Sequence, residues 1–351
     1  MTGARQQPPA VLALFDQRIE GDDCLMKLAR DEFRQARLGA EMQADTPKRL
    51  GWLMRFRPSA ETPVMVHLPR DLSLADPGSR ERILDFARRF AGQVLGWVMH
   101  DHPEMVTRAK DFRQGARDLH SRLEQIEPRS RVFVEYACGL EMEAFLGFLE
   151  SIRDLDRVSA CLDVGHVGIW QARRAYASLH SGADVCALKY QAWILPQLMA
   201  DIQAAVASAL PVVLQLIAAI SALGKPAHYH LHDAHPLSTA SAFGVSDHLS
   251  FVAEISLAFD VGGRRSAPLM FGPAGLAQIL SAALRSCDSH APSFTLEIHP
   301  TGERQPLGER SSLFAHWQDK TNAEKMKGWL ATLRQNHRLL LNALEMRSHP
   351  A

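Results

Sequence analysis

Cysteine is scarce in this chain and carries no motif. The five cysteines, Cys24, Cys138, Cys161, Cys186 and Cys287, are odd in number and widely spaced, with no C-x-x-C among them. A zinc ribbon or a disulfide-stapled fold is thereby excluded, and buried thiols in a reducing, cytoplasmic setting are expected. Excess charge is lacking too, since 39 Lys plus Arg balance 39 Asp plus Glu. With no overall field to draw it to phosphate backbones, the chain is not expected to take nucleic acid as a partner. The N-terminal stretch, Met-Thr-Gly-Ala-Arg-Gln-Gln-Pro-Pro, has no apolar core of the signal-peptide kind. No G-x-G-x-x-G follows the first apolar run, which counts against the runner-up fold, an open doubly wound sheet around a dinucleotide.

What is present is a globular composition and a rhythm. The 46% hydrophobic fraction of 351 residues is enough for one large α/β barrel or two ordinary domains. Eight short apolar runs stand out: Val11–Phe15, Pro63–Leu68, Val94–His100, Val132–Tyr136, Val158–Val164, Ala227–His232, Ala267–Phe271 and Phe294–Ile298. Between them lie amphipathic stretches such as Ser79–Phe90, Arg108–Gln125 and Glu141–Leu155, the last with Met142, Phe145, Leu146, Leu149 and Ile152 at helical spacing. Alternating strand and helix predicts a parallel sheet, and eight repeats predict a closed (β/α)8 TIM barrel forming a single domain over residues 1–351. The runs end on polar residues 33, 35 and 28 positions apart (His67, His100, Glu135, Asp163), close to one strand–helix unit. The weakest part of the pattern is the long, charged and only partly patterned stretch from Arg18 to Arg57.

Asp163 to His230 spans 67 positions, about twice one repeat, so a helical insertion over about 170–224 is expected after the fifth run. No residue from Ile202 through Gly224 is charged. A broken helix pair buried against the barrel or a second subunit is the first reading, and a lid or a membrane contact are the others. Pro211 and the prevalence of Ala, Ser and Gln argue against a membrane span. Residues 185–222 are thus also a candidate homo-oligomer contact. A C-terminal helical extension over about 320–347 closes the chain, with Met326, Trp329, Leu330, Leu333, Leu339, Leu340 and Leu344 largely on one side.

The chemistry is suggested by where the apolar runs stop. In a barrel of this kind the C-terminal strand ends converge on one rim. The terminal polar residues are His67, His100, Glu135, Asp163 with His166, His230 and Glu297, and the loop after Ala227–His232 adds His232, Asp233, His235, Asp247 and His248. So many imidazoles and carboxylates at the ends of apolar strands are costly to desolvate without a partner, and a divalent cation supplies one. Each has a bland alternative. Glu135 and Glu297 could be salt-bridged, Asp163 could be a helix N-cap, and His67 and His100 could be satisfied core residues. His228 and His232 alternate with His230 on one strand, leaving the register open. His102 competes with His100, a loop helix cap would also explain Asp247 and His248, and Asp233 could orient a ligand imidazole.

The order Val-Glu-Tyr (134–136), Leu-Asp-Val-Gly-His (162–166), His-Leu-His-Asp (230–233), Asp-His-Leu (247–249) and Leu-Glu-Ile (296–298) resembles the xylose-isomerase-like TIM-barrel superfamily. That group includes sugar isomerases and epimerases, inosose dehydratases and endonuclease IV, and the resemblance covers about two-thirds of the chain. It implies that Glu135, Asp163, His230 and Glu297 bind one divalent metal (Mn, Zn, Co, Mg or Fe) and that His166 touches substrate or a further ion. His67 and His100 match positions that hold an additional metal in the endonuclease branch, and Asp247 and His248 a third. The chain departs from the pattern at Ser246, where the family often has Asp, at Phe-Gly-Pro-Ala-Gly (271–275), and in the size of the insertion.

Three chemistries follow as expectations. The first is a metal-dependent isomerase, epimerase or dehydratase acting on a small sugar, polyol or hydroxy-carbonyl compound. In it Glu135 and Glu297 exchange a carbon-bound proton and His166 holds a substrate oxygen. The second is an endonuclease IV-like zinc phosphodiesterase in which Glu135 bridges two ions. The third is a non-haem iron oxidase on the same rim. One to three ions are expected.

Overall fold

In the computed structural model, the described residues are 9–16, 22–127, 129–137, 139–190, 194–238, 248–252, 255–261, 264–285, 291–298 and 323–348. Eight parallel strands close on one another: β1 (Ala10–Leu14), β2 (Gly39–Gln43), β3 (Val64–His67), β4 (Gly96–His100), β5 (Arg131–Tyr136), β6 (Val158–Asp163), β7 (Ala227–Leu231) and β10 (Ser293–Leu296), with β10 pairing back to β1. Short, β-rich and covered on both sides, these segments need no alternation. Inside, Leu12, Met65, Val98, Phe133 and Cys161 form an apolar layer that plugs the barrel. The chain is a (β/α)8 barrel.

One barrel strand lies outside the eight expected runs, and one of those runs is not a barrel strand. Gly39–Gln43, within the ill-patterned Arg18–Arg57 stretch, is the second strand. Ala267–Phe271 is not a barrel strand; Ala267 ends β9 (Arg264–Ala267), which pairs antiparallel with β8 (Ile255–Val261) in a hairpin outside the barrel. Only five residues long, with Gly39 and Gln43 at its ends, β2 carries too little apolar content to stand out. The strand ending at Asp163 is therefore the sixth, and the insertion follows strand six rather than strand five.

Helix starts follow the local chemistry. Asp22 caps α1 (Asp23–Ala36) through the amides of Cys24 and Leu25, Thr46 precedes Pro47 at the head of α2 (Pro47–Leu53), and Asp76 precedes Pro77 at the head of α3 (Pro77–Arg89). Such caps contribute about 1 kcal/mol each, and Pro at the first position wastes no amide. After the short α4 (Glu104–Thr107), α5 (Ala109–Ile126) and α6 (Met142–Ser151) are helical as the periodicity predicts.

The insertion is helical as well. α7 (Val164–Leu179) begins directly on the end of β6, and α8 (Leu195–Ala207) and α9 (Ala209–Ala222) follow. The break between the last two falls at Ser208, and Pro211 sits in the first turn of α9, where its missing amide costs nothing. α9 packs against α6, α7 and α10 (Gly272–Arg285), so it occupies the outer-ring place between strands six and seven. Together α8 and α9 are long and apolar enough to cross a membrane, yet Val213, Leu216, Ile217 and Ile220 are buried against the barrel. The closing helix α11 (Ala323–Ser348) packs on α10 and α1 and completes the ring.

Candidate metal centre

Strand ends deliver the polar residues to one mouth. His67, His100 and Asp163 are the last residues of β3, β4 and β6; Glu135 and His230 are next to last in β5 and β7; Glu297 directly follows β10. Parallel register sets His100 beside Glu135 and Asp163 beside His230. His166 comes from the first turn of α7, and His248 from a loop where its backbone is left-handed, at φ 55°. That conformation is strained for a non-glycine residue and is held here by paired hydrogen bonds between the backbones of Asp233 and Leu249.

The resulting contacts form a connected chain. Oε2 of Glu135 lies 3.0 Å from His67 Nε2 and 3.4 Å from His100 Nδ1, while its Oε1 lies 3.4 Å from His230 Nδ1. Oε2 of Glu297 lies 3.0 Å from the same His230 Nδ1, and its Oε1 lies 3.5 Å from His248 Nε2. Asp163 Oδ1 accepts from the amide of His166 at 2.7 Å and lies 2.8 Å from His232 Nε2, and its Oδ2 is 3.1 Å from His166 Nδ1. Asp163 is thus both the N-cap of α7 and a member of the cluster.

Among the described residues, five overlapping sets of ligand atoms have their members within 4.8 Å of one another. Three lie along the mouth: His67, His100 and Glu135; Glu135, Asp163, His230 and Glu297; and Asp163, His166, His232 and His248. Two reach inward from His230, one with Glu41 and His67 and one with Cys161 and His228. Backbone carbonyls fix two of the imidazoles. His67 Nδ1 donates to the Leu68 carbonyl at 3.2 Å and His232 Nδ1 to the Asp233 carbonyl at 3.0 Å, which leaves each Nε2 as the coordinating atom.

Electrostatics hold Glu135 and Asp163 ionised. Burial pushes Glu135 up, but His100 and His230 beside it more than offset this and keep it well below its ordinary range. Asp163 is lowered in the same way, by His166 and His232 against the effect of burial. Burial disfavours charge on His230, yet Glu41, Glu297 and Glu135 around it hold its pKa well above the usual value. His67 and His232 are raised by Glu135 and Asp163 respectively, again against burial. Burial wins at His100, which falls to about 4.

The donor set fits a cation. Asp163 Oδ2, Glu297 Oε2, His100 Nε2 and both ring nitrogens of His166 and His230 are buried without an aligned hydrogen bond. An unsatisfied buried polar atom costs about 1–3 kcal/mol, and these are concentrated at one mouth. Imidazole nitrogen and carboxylate oxygen suit zinc, manganese, cobalt or iron(II).

Of the residues singled out from sequence, Glu135, Asp163, His230, Glu297, His166, His67, His100 and His248 meet at this centre. Asp247 and His299 lie outside the described residues, as do Cys138 and Cys287. Among the described cysteines, Cys161 and Cys186 are buried and Cys24 is exposed. His235 is buried and accepts from the Leu237 amide, and His102 accepts from the amide of Glu104. Asp233 orients no imidazole through its carboxylate; it gathers the amides of Ala234, Met270, Phe271 and Gly272 and so seats the start of α10. Gly165 lies in the first turn of α7. It leaves room for the His232 ring, whose Cε1 would lie 2.0 Å from an added Cβ.

Two members were not assigned from sequence. His232, a rim residue and a register alternative to His230 in the sequence but in no expected ligand set, sits two residues on, at the same mouth. Glu41 lies on the overlooked β2, with its side chain fully buried; the only signal for it is a lone carboxylate in Gly-Ala-Glu-Met.

No family model matches this sequence, and no curated protein matches it either. Solved structures resemble it in overall path only. A thermostable mutant of xylanase Xyn10A from Cellvibrio japonicus is 11% identical over 90% of this chain and 98% of its own, with a TM-score of 0.45. An endo-1,4-beta-mannanase from Rhizomucor miehei is 9% identical over 93% and 96%, with a TM-score of 0.46. The carboxyl transferase domain of Rhizobium etli pyruvate carboxylase is 9% identical over 97% of this chain and 49% of that one, at 0.40. Similarity this low does not bear on activity.

Proposed function

We propose that this chain is a metal-dependent enzyme with more than one divalent cation at the C-terminal mouth of its barrel, acting hydrolytically on a small ester, a phosphate ester in the first instance. One observation carries the reading: Glu135 and Glu297 each turn their two oxygens toward different histidines, Glu135 joining His67 and His100 to His230, and Glu297 joining His230 to His248. Carboxylates placed this way are suited to bridge neighbouring ions rather than to shuttle a proton. When bound, such a group of ions supplies an activated water and charge compensation for the leaving group. The protein's own residues fix the cluster through the Leu68 and Asp233 carbonyls, keep Glu135 and Asp163 ionised, and exclude water from their inner sides. The balanced net charge favours a small substrate over a nucleic acid.

A second reading, the isomerase or epimerase expected from sequence, rests on the set Glu135, Asp163, His230 and Glu297. These four complete a single-ion site by themselves and would serve to chelate a hydroxy-carbonyl substrate if the outer sets stay empty. Elemental analysis of protein purified without chelators separates the readings. Two or three ions per chain support the hydrolytic reading, and phosphomonoester and phosphodiester turnover then tests it. A single ion supports proton transfer, iron as the native metal supports an oxidase, and a chain that takes up no metal ends all three.

A further inference from the structure

His230 is the hinge of the centre, since its Nδ1 faces both bridging carboxylates. Its other nitrogen faces Glu41, which has no place in the ligand set expected from sequence and whose carboxylate lies within 4.8 Å of ligand atoms of both His67 and His230. Nε2 of His230 lies 3.0 Å from Glu41 Oε1, and both atoms are buried without an aligned hydrogen bond. The opposite oxygen of Glu41 is fully committed: Thr295 Oγ1 donates to Oε2 at 2.5 Å, and His228 Nε2 lies 3.1 Å from it. His228 is in turn set by Ser293, whose Oγ lies 2.7 Å from its Nδ1. All of Glu41, His228, His230 and Thr295 are 0% exposed, so no water competes for these contacts.

A carboxylate desolvated this completely is retained at a cost of several kcal/mol. Barrel packing does not call for it, because the neighbouring interior layer is apolar. Its three contacts are of one kind: two donors fix the carboxyl plane, and the remaining oxygen is presented to a ring nitrogen. We infer that Glu41 is a positioning residue, outside the metal shell, that accepts the Nε2 proton of His230 and thereby commits Nδ1 to the ion held with Glu135 and Glu297. A carboxylate behind a ligating imidazole fixes its tautomer and orientation and raises its basicity. Thr295, His228 and Ser293 form the brace that keeps Glu41 in that pose.

The inference rests on the proposed metal centre, and the test separates the two. Wild type, Glu41→Gln and Thr295→Val are stripped with chelator and titrated with cobalt(II) and zinc. The readouts are ions bound per chain, affinity by chelator competition, and the cobalt visible spectrum, with circular dichroism and thermal melts recording the fold. Glu41→Gln keeps the shape but trades one oxygen for an NH2 group, so at least one binding step weakens by about 10- to 100-fold and the cobalt bands shift while the far-ultraviolet spectrum is unchanged. Thr295→Val, which removes one brace without touching charge, gives the same spectral shift in smaller measure. Wild-type affinity and bands in a folded Glu41→Gln protein overturn the role of Glu41; should that variant not fold, wild-type behaviour of Thr295→Val overturns it instead. Wild-type protein that binds no cobalt or zinc overturns the metal centre itself.

Discussion

Replacing Gly165 by alanine adds one methyl group, and the structure fixes where it lands. The new Cβ falls 2.0 Å from His232 Cε1 and 2.2 Å from its Nδ1, where ordinary contact begins near 3.4 Å. The ring or the helix must therefore give by roughly 1.4 Å. His232 is tied at Nδ1 to the Asp233 carbonyl and at Nε2 to Asp163 (2.8 Å), and a displacement that large breaks one or both. Losing a hydrogen bond to a charged group costs about 1.5–3 kcal/mol, and alanine in place of glycine in a helix returns about 1. Net loss of stability is thus about 0.5–2 kcal/mol for one broken bond, too little to unfold the barrel. Metal binding suffers more, because coordination distances tolerate only about 0.2 Å. Gly165→Ala is expected to lose the ion of the Asp163, His166, His232 and His248 set and to keep the others, as read by elemental analysis after gel filtration. Gly147→Ala, whose added Cβ meets nothing within 4 Å, is the control and should bind like wild type. A Gly165→Ala protein with the full metal complement and an unchanged Tm would refute the placement of His232.

Metal must displace protons from His67, His230 and His232, whose pKa values are raised by neighbouring carboxylates. Zinc binding therefore strengthens as pH rises through neutrality and releases protons, so calorimetric enthalpies measured at one pH should scale with the buffer's ionisation enthalpy; no buffer dependence contradicts this. In the metal-free protein the sign is the reverse on the basic side: those imidazoles stabilise the fold fully below their ordinary 6.5, and the contribution is lost as pH climbs through the raised values. Glu41, Glu135 and Asp163, all lowered, contribute above the ordinary carboxylate range and lose it as pH falls through their depressed values. Asp16 and Asp233, raised to about 6, and Asp101, raised to about 7, are opposed over overlapping windows by His100, lowered to about 4, and His235, lowered to about 3, and the two groups largely offset each other. Chelator-treated protein should thus melt highest between about pH 4.5 and 6.5, and added zinc should move that maximum upward. Asn336 of the closing helix accepts from the Phe251 amide and donates to Ser250 Oγ, two residues beyond His248; Asn336→Ala should cost about 1–3 kcal/mol in chemical denaturation and weaken the same ion as Gly165→Ala, and an unchanged affinity would detach the closing helix from the site.

How much of this was legible in the sequence depended on what each residue had around it. Glu135 stood out because Phe-Val-Glu-Tyr places a bare carboxylate among strand formers, and Asp163 because an apolar run leads straight into it. Glu41 has the same burial but a five-residue strand with little β-branched content, so the run that should announce it is missing. The hairpin shows the opposite error: Ala267–Phe271 reads as an apolar strand, but Met270 and Phe271 pack against Gly168 of α7, and the Asp233 carboxylate holds their amides and that of Gly272. Periodicity reports that a segment is covered, not what covers it. Gly165 shows the same limit, since a glycine after a strand is compatible with a turn and with a close approach by a distant ring alike.

The number of ions follows from charge as well as geometry. Four carboxylates, Glu41, Glu135, Asp163 and Glu297, crowd this mouth with at most 5% exposure each. A single divalent cation leaves two negative charges uncompensated, and each costs several kcal/mol in a desolvated site. Protons on His67, His230 or His232 could neutralise them, but a protonated imidazole cannot ligate, so a one-ion centre would idle the very residues that form it. Two divalent cations balance the four carboxylates with every imidazole neutral and free to coordinate. A third ion brings surplus positive charge, which only an anion can offset. The third set relies on His166, from a helix turn, and His248, from a strained loop, so it is the least rigidly framed of the three. Two ions should therefore bind tightly to the chain alone, and the third should tighten when inorganic phosphate is present, which zinc titrations with and without phosphate read directly. Three equal sites indifferent to phosphate would mean that charge balance does not govern this centre.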